Sequence, residues 1–156
     1  MIRDAVFDTI YEMMKEDPDI YILTADMGAW GLDKIKEKYP DRFINVGCSE
    51  QNMISIATGL AYGGKLPICY AISAFLVHRA LDQIRMMPNL PITLIGVGAD
   101  MSYGTDGWSH WSFYDHDILS FFAFTVYHLT DENTASQMTE NAVKARGHAY
   151  LRIEGK

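Results

Sequence analysis

Apolar positions along this chain recur with two alternating periods. Ile2, Val6, Ile10 and Met13 lie three or four residues apart among charges, the spacing of a helix with one buried face. Asp17-Pro18-Asp19 then makes a turn, and the β-branched run over 20–24 predicts a strand. Asp26-Met27-Gly28 breaks that strand, and 32–39 predicts a helix that Pro40 ends. A second strand follows over 43–46. The helix over 51–61 carries Met53, Ile56, Ala57, Leu60 and Ala61 on one face and closes at Gly63-Gly64. Beyond it the pattern predicts strands over 66–73, 91–97, 125–129 and 149–153. Helices are predicted over 75–87, 115–122 and 132–145. Apolar strands alternating with amphipathic helices imply an α/β fold, an open parallel sheet with helices on both faces, in one domain over 1–156.

Composition narrows the partners. The formal charge is −7, and the 13 Lys and Arg residues are scattered, so a nucleic-acid partner is not expected, because phosphate binding needs a basic face. No window approaches the roughly 18 consecutive apolar residues of a membrane span, so no membrane partner is expected either. Charges at Arg3 and Asp4 sit inside the first amphipathic pattern, unlike a signal peptide. Cys48 and Cys69 lack metal or redox spacing and read as reduced thiols of a cytoplasmic protein. Nine methionines, nine tyrosines, seven phenylalanines and three tryptophans leave more apolar surface than a small core hides, which predicts a partner subunit.

Two segments carry chemistry. Glu50 stands between the strand over 43–46 and the helix over 51–61, at the carboxyl edge of the predicted sheet, where open α/β folds bind ligands. The same position also suits a carboxylate that merely favours a helix start. The stretch over 98–112 has neither period and places Asp106 and His110 four positions apart among glycines and aromatics. An imidazole there can shuttle a proton or bind a substrate hydroxyl, or can be an ordinary loop histidine. Nucleophile-elbow, phosphate-loop and zinc-protease motifs are missing, and nothing repeats at metal-ligand spacing, so no metal is expected on this chain.

The run Phe43-Ile44-Asn45-Val46-Gly47-Cys48-Ser49-Glu50-Gln51-Asn52-Met53, followed by Ala57-Thr58-Gly59-Leu60-Ala61, resembles the pyrimidine-binding domain of transketolases. So do Phe75, Arg79-Ala80, Asp82-Gln83-Ile84-Arg85 and the block Asp106-Gly107-Trp108-Ser109-His110. Asp26 matches the aspartate that opens the family's domain. The resemblance spans nearly the whole chain and implies a thiamine-diphosphate enzyme. Such a cofactor attacks a ketose carbonyl once its thiazolium C2 has lost a proton. Glu50 matches the glutamate that hydrogen-bonds the aminopyrimidine and sets it up to take that proton. Phe75 matches the ring that stacks on the pyrimidine, with Asp26, Ile72 and Arg79 at other cofactor-side positions. Asp106 and His110 would bind the donor's hydroxyls, and Arg152 its distal end. Ile72 replaces a second stacking phenylalanine, no histidine stands at Gly98 or Ala99 where one helps bind a donor phosphate, and Trp108 stands where Pro or Ala is usual.

The family holds the diphosphate and its Mg²⁺ through a separate domain with Gly-Asp-Gly and a following Asn. Thr105-Asp106-Gly107 with Asn133 imitates that spacing, but Asn133 falls in a helix-start sequence. The expectation is therefore one subunit of a split transketolase-like enzyme. A diphosphate-binding partner would hold the Mg²⁺ in a heterotetramer, acting on ketose and aldehyde substrates. Two other readings stay open: a subunit of an acyloin-forming or 2-oxoacid-decarboxylating enzyme, and a non-catalytic scaffold that has kept the fold.

Overall fold

Local pattern becomes architecture through the direction of the chain crossovers. The computed structural model describes residues 1–155. Helix α1 (Ile2–Glu16) leads through an Asx turn at Asp17, whose side chain accepts the Asp19 N–H at 2.9 Å, into β1 (Ile20–Thr24). Then follow α2 (Trp30–Lys38), β2 (Phe43–Asn45), α3 (Glu50–Tyr62) and β3 (Leu66–Ile72). The second half runs through α4 (Leu81–Met86), β4 (Thr93–Ala99), α5 (Asp115–Phe121), β5 (Thr125–Leu129), α6 (Glu132–Lys144) and β6 (Ala149–Glu154). The sheet has the order β2-β1-β3-β4-β6-β5 and every pairing in it is parallel. This is the expected open parallel sheet covered on both faces.

Right-handed crossovers send a connection to one face when the chain moves one way along the sheet and to the other face when it reverses. The core divides accordingly. Val6, Phe7 and Ile10 of α1, Ile35 of α2 and Ala142 of α6 pack with Ile22, Ile68, Ile95 and Leu151 on one face. Met53, Ile54 and Ala57 of α3, Ile84 of α4 and Leu119 of α5 pack on the other. That second face rests on Leu23, Cys69, Leu94 and Tyr150, which lie in register across four strands and are fully buried. Burial pushes the Cys69 thiol up, so it stays protonated and packs as a small apolar group. Gly64, at φ +80°, supplies the left-handed turn that stops α3 and feeds β3.

The pattern and the structure part company in three places. The helix over 75–87 is two pieces, a wide π turn at Phe75–Arg79 and then α4, joined at Ala80. His78 Nδ1 lies 3.0 Å from the Ala74 carbonyl, engaging a backbone group at the start of that turn. The fourth strand begins at Thr93, since Pro91 has no N–H to give a ladder. The stretch over 98–112 is anchored at its base: Asp100 and Ser112 exchange backbone hydrogen bonds at 2.8 and 2.9 Å.

His148, just before β6, stacks on Phe124 with ring centroids 4.6 Å apart and accepts the Leu90 N–H at 3.0 Å. Burial holds its imidazole below the ordinary histidine value, against a smaller opposing contact with the Pro88 carbonyl. Below that ordinary value the unfolded chain takes up the proton first, so stability conferred by neutral His148 is lost as the pH falls. Thermal unfolding followed between pH 7 and pH 5.5 should therefore show a falling midpoint, and His148→Asn should flatten that slope. Equal slopes in the two proteins would refute the assignment.

Candidate functional site

In a parallel sheet the carboxyl ends of all strands share one edge, and the reversal of strand order between β1 and β3 opens a crevice there. Glu50 begins α3 beside that crevice. The residue is only 5 % exposed although it is ionisable, and no side-chain bond caps the helix at Ser49. Two things offset the burial. The helix N-terminus favours a negative charge, and Arg79 Nη1 lies 3.3 and 3.4 Å from the two carboxylate oxygens. Cys48, Ser49, Glu50, Gln51 and Arg79 line a cavity of about 340 Å³. A larger cavity, about 720 Å³, lies between α1 and α6 and includes none of these residues.

The π turn brings the next two groups in. Phe75 opens it and Arg79 closes it, so the guanidinium carbon of Arg79 sits 3.7 Å from the Phe75 ring centroid. On the same ring, His110 makes an edge contact with centroids 4.8 Å apart at 63°. Ser109 Oγ lies 3.0 Å from His110 Nδ1, and Tyr103 packs on the imidazole at 5.8 Å. Glu50, Arg79, Phe75 and His110 thus form one continuous set of contacts drawn from three separate chain segments. A π turn inside a helical stretch is rare and is often found at functional sites.

The other sequence-predicted residues have different places. Asp26 follows β1 in a left-handed conformation (φ 54°) and is exposed. Asn45 Oδ1 accepts the N–H groups of Asp26 and Gly47, both at 3.0 Å, which ties the ends of β1 and β2 together. The Cys48 thiol donates to Asp26 Oδ2 at 3.8 Å and so joins Asp26 to the mouth of the Glu50 cavity. Ile72 ends β3 and packs with the core under α1, α2 and α6. Asp106 is exposed in a short 3₁₀ turn, Gly104–Asp106. Asn133 belongs to α6, where its backbone N–H and that of Thr134 are capped by Asp131 at 3.0 Å each.

Arg152 is buried on β6, and its guanidinium lies against protein acceptors. It donates to Asp115 Oδ2 from Nε (3.0 Å), to both Asp100 oxygens (2.8 and 3.1 Å), to the Ser112 carbonyl (3.2 Å) and to Glu154 (3.4 Å). Burial works against its charge, but the pairs with Asp100 and Asp115 outweigh burial and hold it above its ordinary value. Arg152 in turn keeps the Asp100 carboxyl below the usual carboxylate range. Behind it, Tyr150 donates to Asp115 at 2.6 Å, and its hydroxyl oxygen lies 3.2 Å from Ser73 Oγ. Sequence reasoning missed Ser73, Asp100, Asp115 and Tyr150. The available signal was the charge of Arg152 inside an apolar strand, which needs buried acidic partners.

An open parallel α/β sheet with a buried glutamate, a stacking ring and an imidazole at its strand-reversal crevice is the arrangement of a cofactor- or substrate-binding domain. The chain belongs to the transketolase pyrimidine-binding domain family, whose model matches residues 1–154. It is 32 % identical over 126 residues to one of the subunits of apulose-4-phosphate transketolase from Actinobacillus succinogenes, covering 78 % of this chain and 40 % of that protein. It is 39 % identical over 145 residues to 1-deoxy-D-xylulose-5-phosphate synthase of Desulfotalea psychrophila, covering 90 % of this chain and 22 % of that one. The chain thus spans less than half the length of these relatives. Among solved structures, a split-gene transketolase described as an inactive β4 tetramer superposes with a TM-score of 0.85 at 25 % identity. That match covers 98 % of this chain and 50 % of the other.

Gly96 of β4 tests how closely the site's backing is packed. A Cβ there would run into the Tyr150 hydroxyl and Ser73 Oγ. Gly96→Ala should cost about 1–3 kcal/mol by overpacking, measurable by urea unfolding; an unchanged midpoint would show that the strand yields freely.

Proposed function

We propose that this chain supplies the pyrimidine-binding half of a thiamine-diphosphate-dependent, transketolase-like transferase. The enzyme would move a two-carbon ketol unit from a ketose donor to an aldehyde acceptor, with the diphosphate and Mg²⁺ held by a partner chain. The single observation that carries the reading is the contact set Glu50–Arg79–Phe75–His110 at the carboxyl edge of a sheet of this family.

The residues present fit the cofactor's aminopyrimidine. The site already accommodates a flat, N–H-bearing cation: the Arg79 guanidinium lies on the Phe75 ring and donates to Glu50. An aminopyrimidine offers the same flat face, and it gains a ring N–H when its ring nitrogen carries a proton, as in the imino tautomer. When bound, the cofactor supplies a carbon nucleophile for the donor's carbonyl. Glu50 would hydrogen-bond that ring nitrogen, accepting from it when the nitrogen carries the proton and so favouring the imino tautomer. Phe75 takes the stacked ring, a contact worth about 0.5–1.5 kcal/mol. Arg79, half exposed on a flexible stem, has to leave the Phe75 face for the ring to take it. Asp26 and Ile72 flank the cofactor side. His110 and the exposed Asp106 present hydrogen-bonding groups to sugar hydroxyls. Arg152 serves the donor's distal end through the loop it holds, its own donors being engaged.

What supports a partner for the diphosphate is the separation of Asp106 from Asn133. One follows β4, the other begins α6 after β5, and β6 runs between those strands. The assembly proposed is a heterotetramer with the partner chain, in the cytoplasm. Retention of a second protein on the tagged chain, strengthened by thiamine diphosphate and Mg²⁺ and carrying the Gly-Asp-Gly and Asn elements, is the expected result. In the complex of the two chains, Glu50→Gln should lower kcat by about 10²–10⁴-fold, the range for a lost acid–base group, with assembly by size-exclusion unchanged. Activity within tenfold of wild type would contradict the role given to Glu50.

A further inference from the structure

Two sides of the site come from different places. Phe75 and Arg79 follow β3, whereas His110 sits on the loop that follows β4. Nothing in the local sequence sets the distance between them. In the structure, one buried carboxylate touches the supports of both. Asp115 is fully buried at the start of α5. Its Oδ2 accepts from Tyr150 Oη at 2.6 Å and from Arg152 Nε at 3.0 Å, and its Oδ1 lies 3.4 Å from Arg152 Nη2.

Followed one way, this network reaches the Phe75 side: Tyr150 Oη is also 3.2 Å from Ser73 Oγ, two residues before the π turn begins. Burial, and next the charge of Asp115, push the Tyr150 phenol far above its ordinary value, so it remains a donor. Followed the other way, it reaches the His110 side. Arg152 grips Asp100 with two nitrogens and donates to the Ser112 carbonyl, and Asp100 and Ser112 are the two ends of the His110 loop, already bridged to each other. A planar guanidinium making a two-pronged contact fixes orientation as well as distance.

We infer that Asp115 and Arg152 are positioning residues, a buried ion pair that sets the His110 loop against Phe75. The inference rests on the reading of Phe75 and His110 as site residues, but the clamp itself is a property of this chain alone. In this role Arg152 is committed to the loop and does not meet substrate.

The test uses the whole chain without cofactor or partner, with histidine rings isotope-labelled and His110 assigned by His110→Gln. In wild type the His110 ring protons should be displaced by the Phe75 ring current, and Phe75→Leu should abolish that displacement. Asp115→Asn, which keeps the shape and removes the charge, should shift the His110 signal toward its position in Phe75→Leu and leave the remote His148 signal in place. Hydrogen exchange at the Asp100 and Ser112 amides should accelerate at least tenfold in Asp115→Asn and in Arg152→Met, with the strand amides of Leu23 and Cys69 unchanged. Arg152→Lys, which keeps the charge but not the fork, should fail to restore wild-type exchange. If Asp115→Asn does not fold, Asp100→Asn at the partly exposed end of the network should produce the same displacement and the same local acceleration. Uniform acceleration across the sheet, or an unmoved His110 signal, would overturn the clamp. Neither readout involves turnover, so its failure would leave the cofactor reading standing, and failure of the Glu50 prediction would leave the clamp standing.

Discussion

Parallel strand direction is the constraint on which the rest of this structure depends. Because every connection must return over a face of the sheet, each strand delivers its carboxyl end to the same edge. Asp26 after β1, Glu50 after β2, Phe75 and Arg79 after β3, and His110 after β4 arrive there for one topological reason. The reversal between β1 and β3 then separates two neighbouring loops and leaves room between them. The division of the helices into two sets, one on each face, follows from the same rule and accounts for the two core clusters.

Within that frame the two buried acidic groups are held in opposite ways, and the magnitudes explain why. Glu50 meets Arg79 at 3.3 and 3.4 Å, but half of the Arg79 side chain is in solvent. Such a pair is worth about 0–1 kcal/mol. Little free energy therefore holds the half-exposed Arg79 against the carboxylate. Asp115 and Arg152 are shut away from water and share their contacts with Tyr150, Asp100 and Ser112. Removing one member of a pair of that kind costs about 3–5 kcal/mol. The first arrangement suits a group that a ligand must replace, and the second suits a group that must stay where it is.

The π turn at Phe75–Arg79 joins these two regimes. Its widened backbone interrupts what the apolar spacing would otherwise continue as one helix, and its two ends carry the ring and the cation of the site. The entry to the turn is backed by Ser73 and Tyr150, packed so closely over Gly96 that even a methyl group has no space. A conformation of poor intrinsic stability is thereby held by its surroundings.

Much of this was legible in the order of residues. The two hydrophobic periods located all six strands and the helices between them, because burial on one face or two imposes spacing that no polar sequence imitates. Glu50 at a strand-to-helix junction and His110 in an aperiodic loop were visible as candidates, and the resemblance of separated blocks pointed to the family. Asp131 was readable as part of a helix start, which sets Asn133 apart from a ligand set. Three features were decided only by tertiary structure. The break at Ala80 depends on what the turn packs against, not on the side-chain period, which Leu76, Ala80 and Ile84 satisfy. The pairing of Glu50 with Arg79 needs two elements to meet at one crevice. The role of Arg152 depends on Asp100, Asp115 and Tyr150, residues distant in sequence whose convergence follows from strand order. Periodicity reports which way a side chain faces; only the packed sheet determines which charges then find each other.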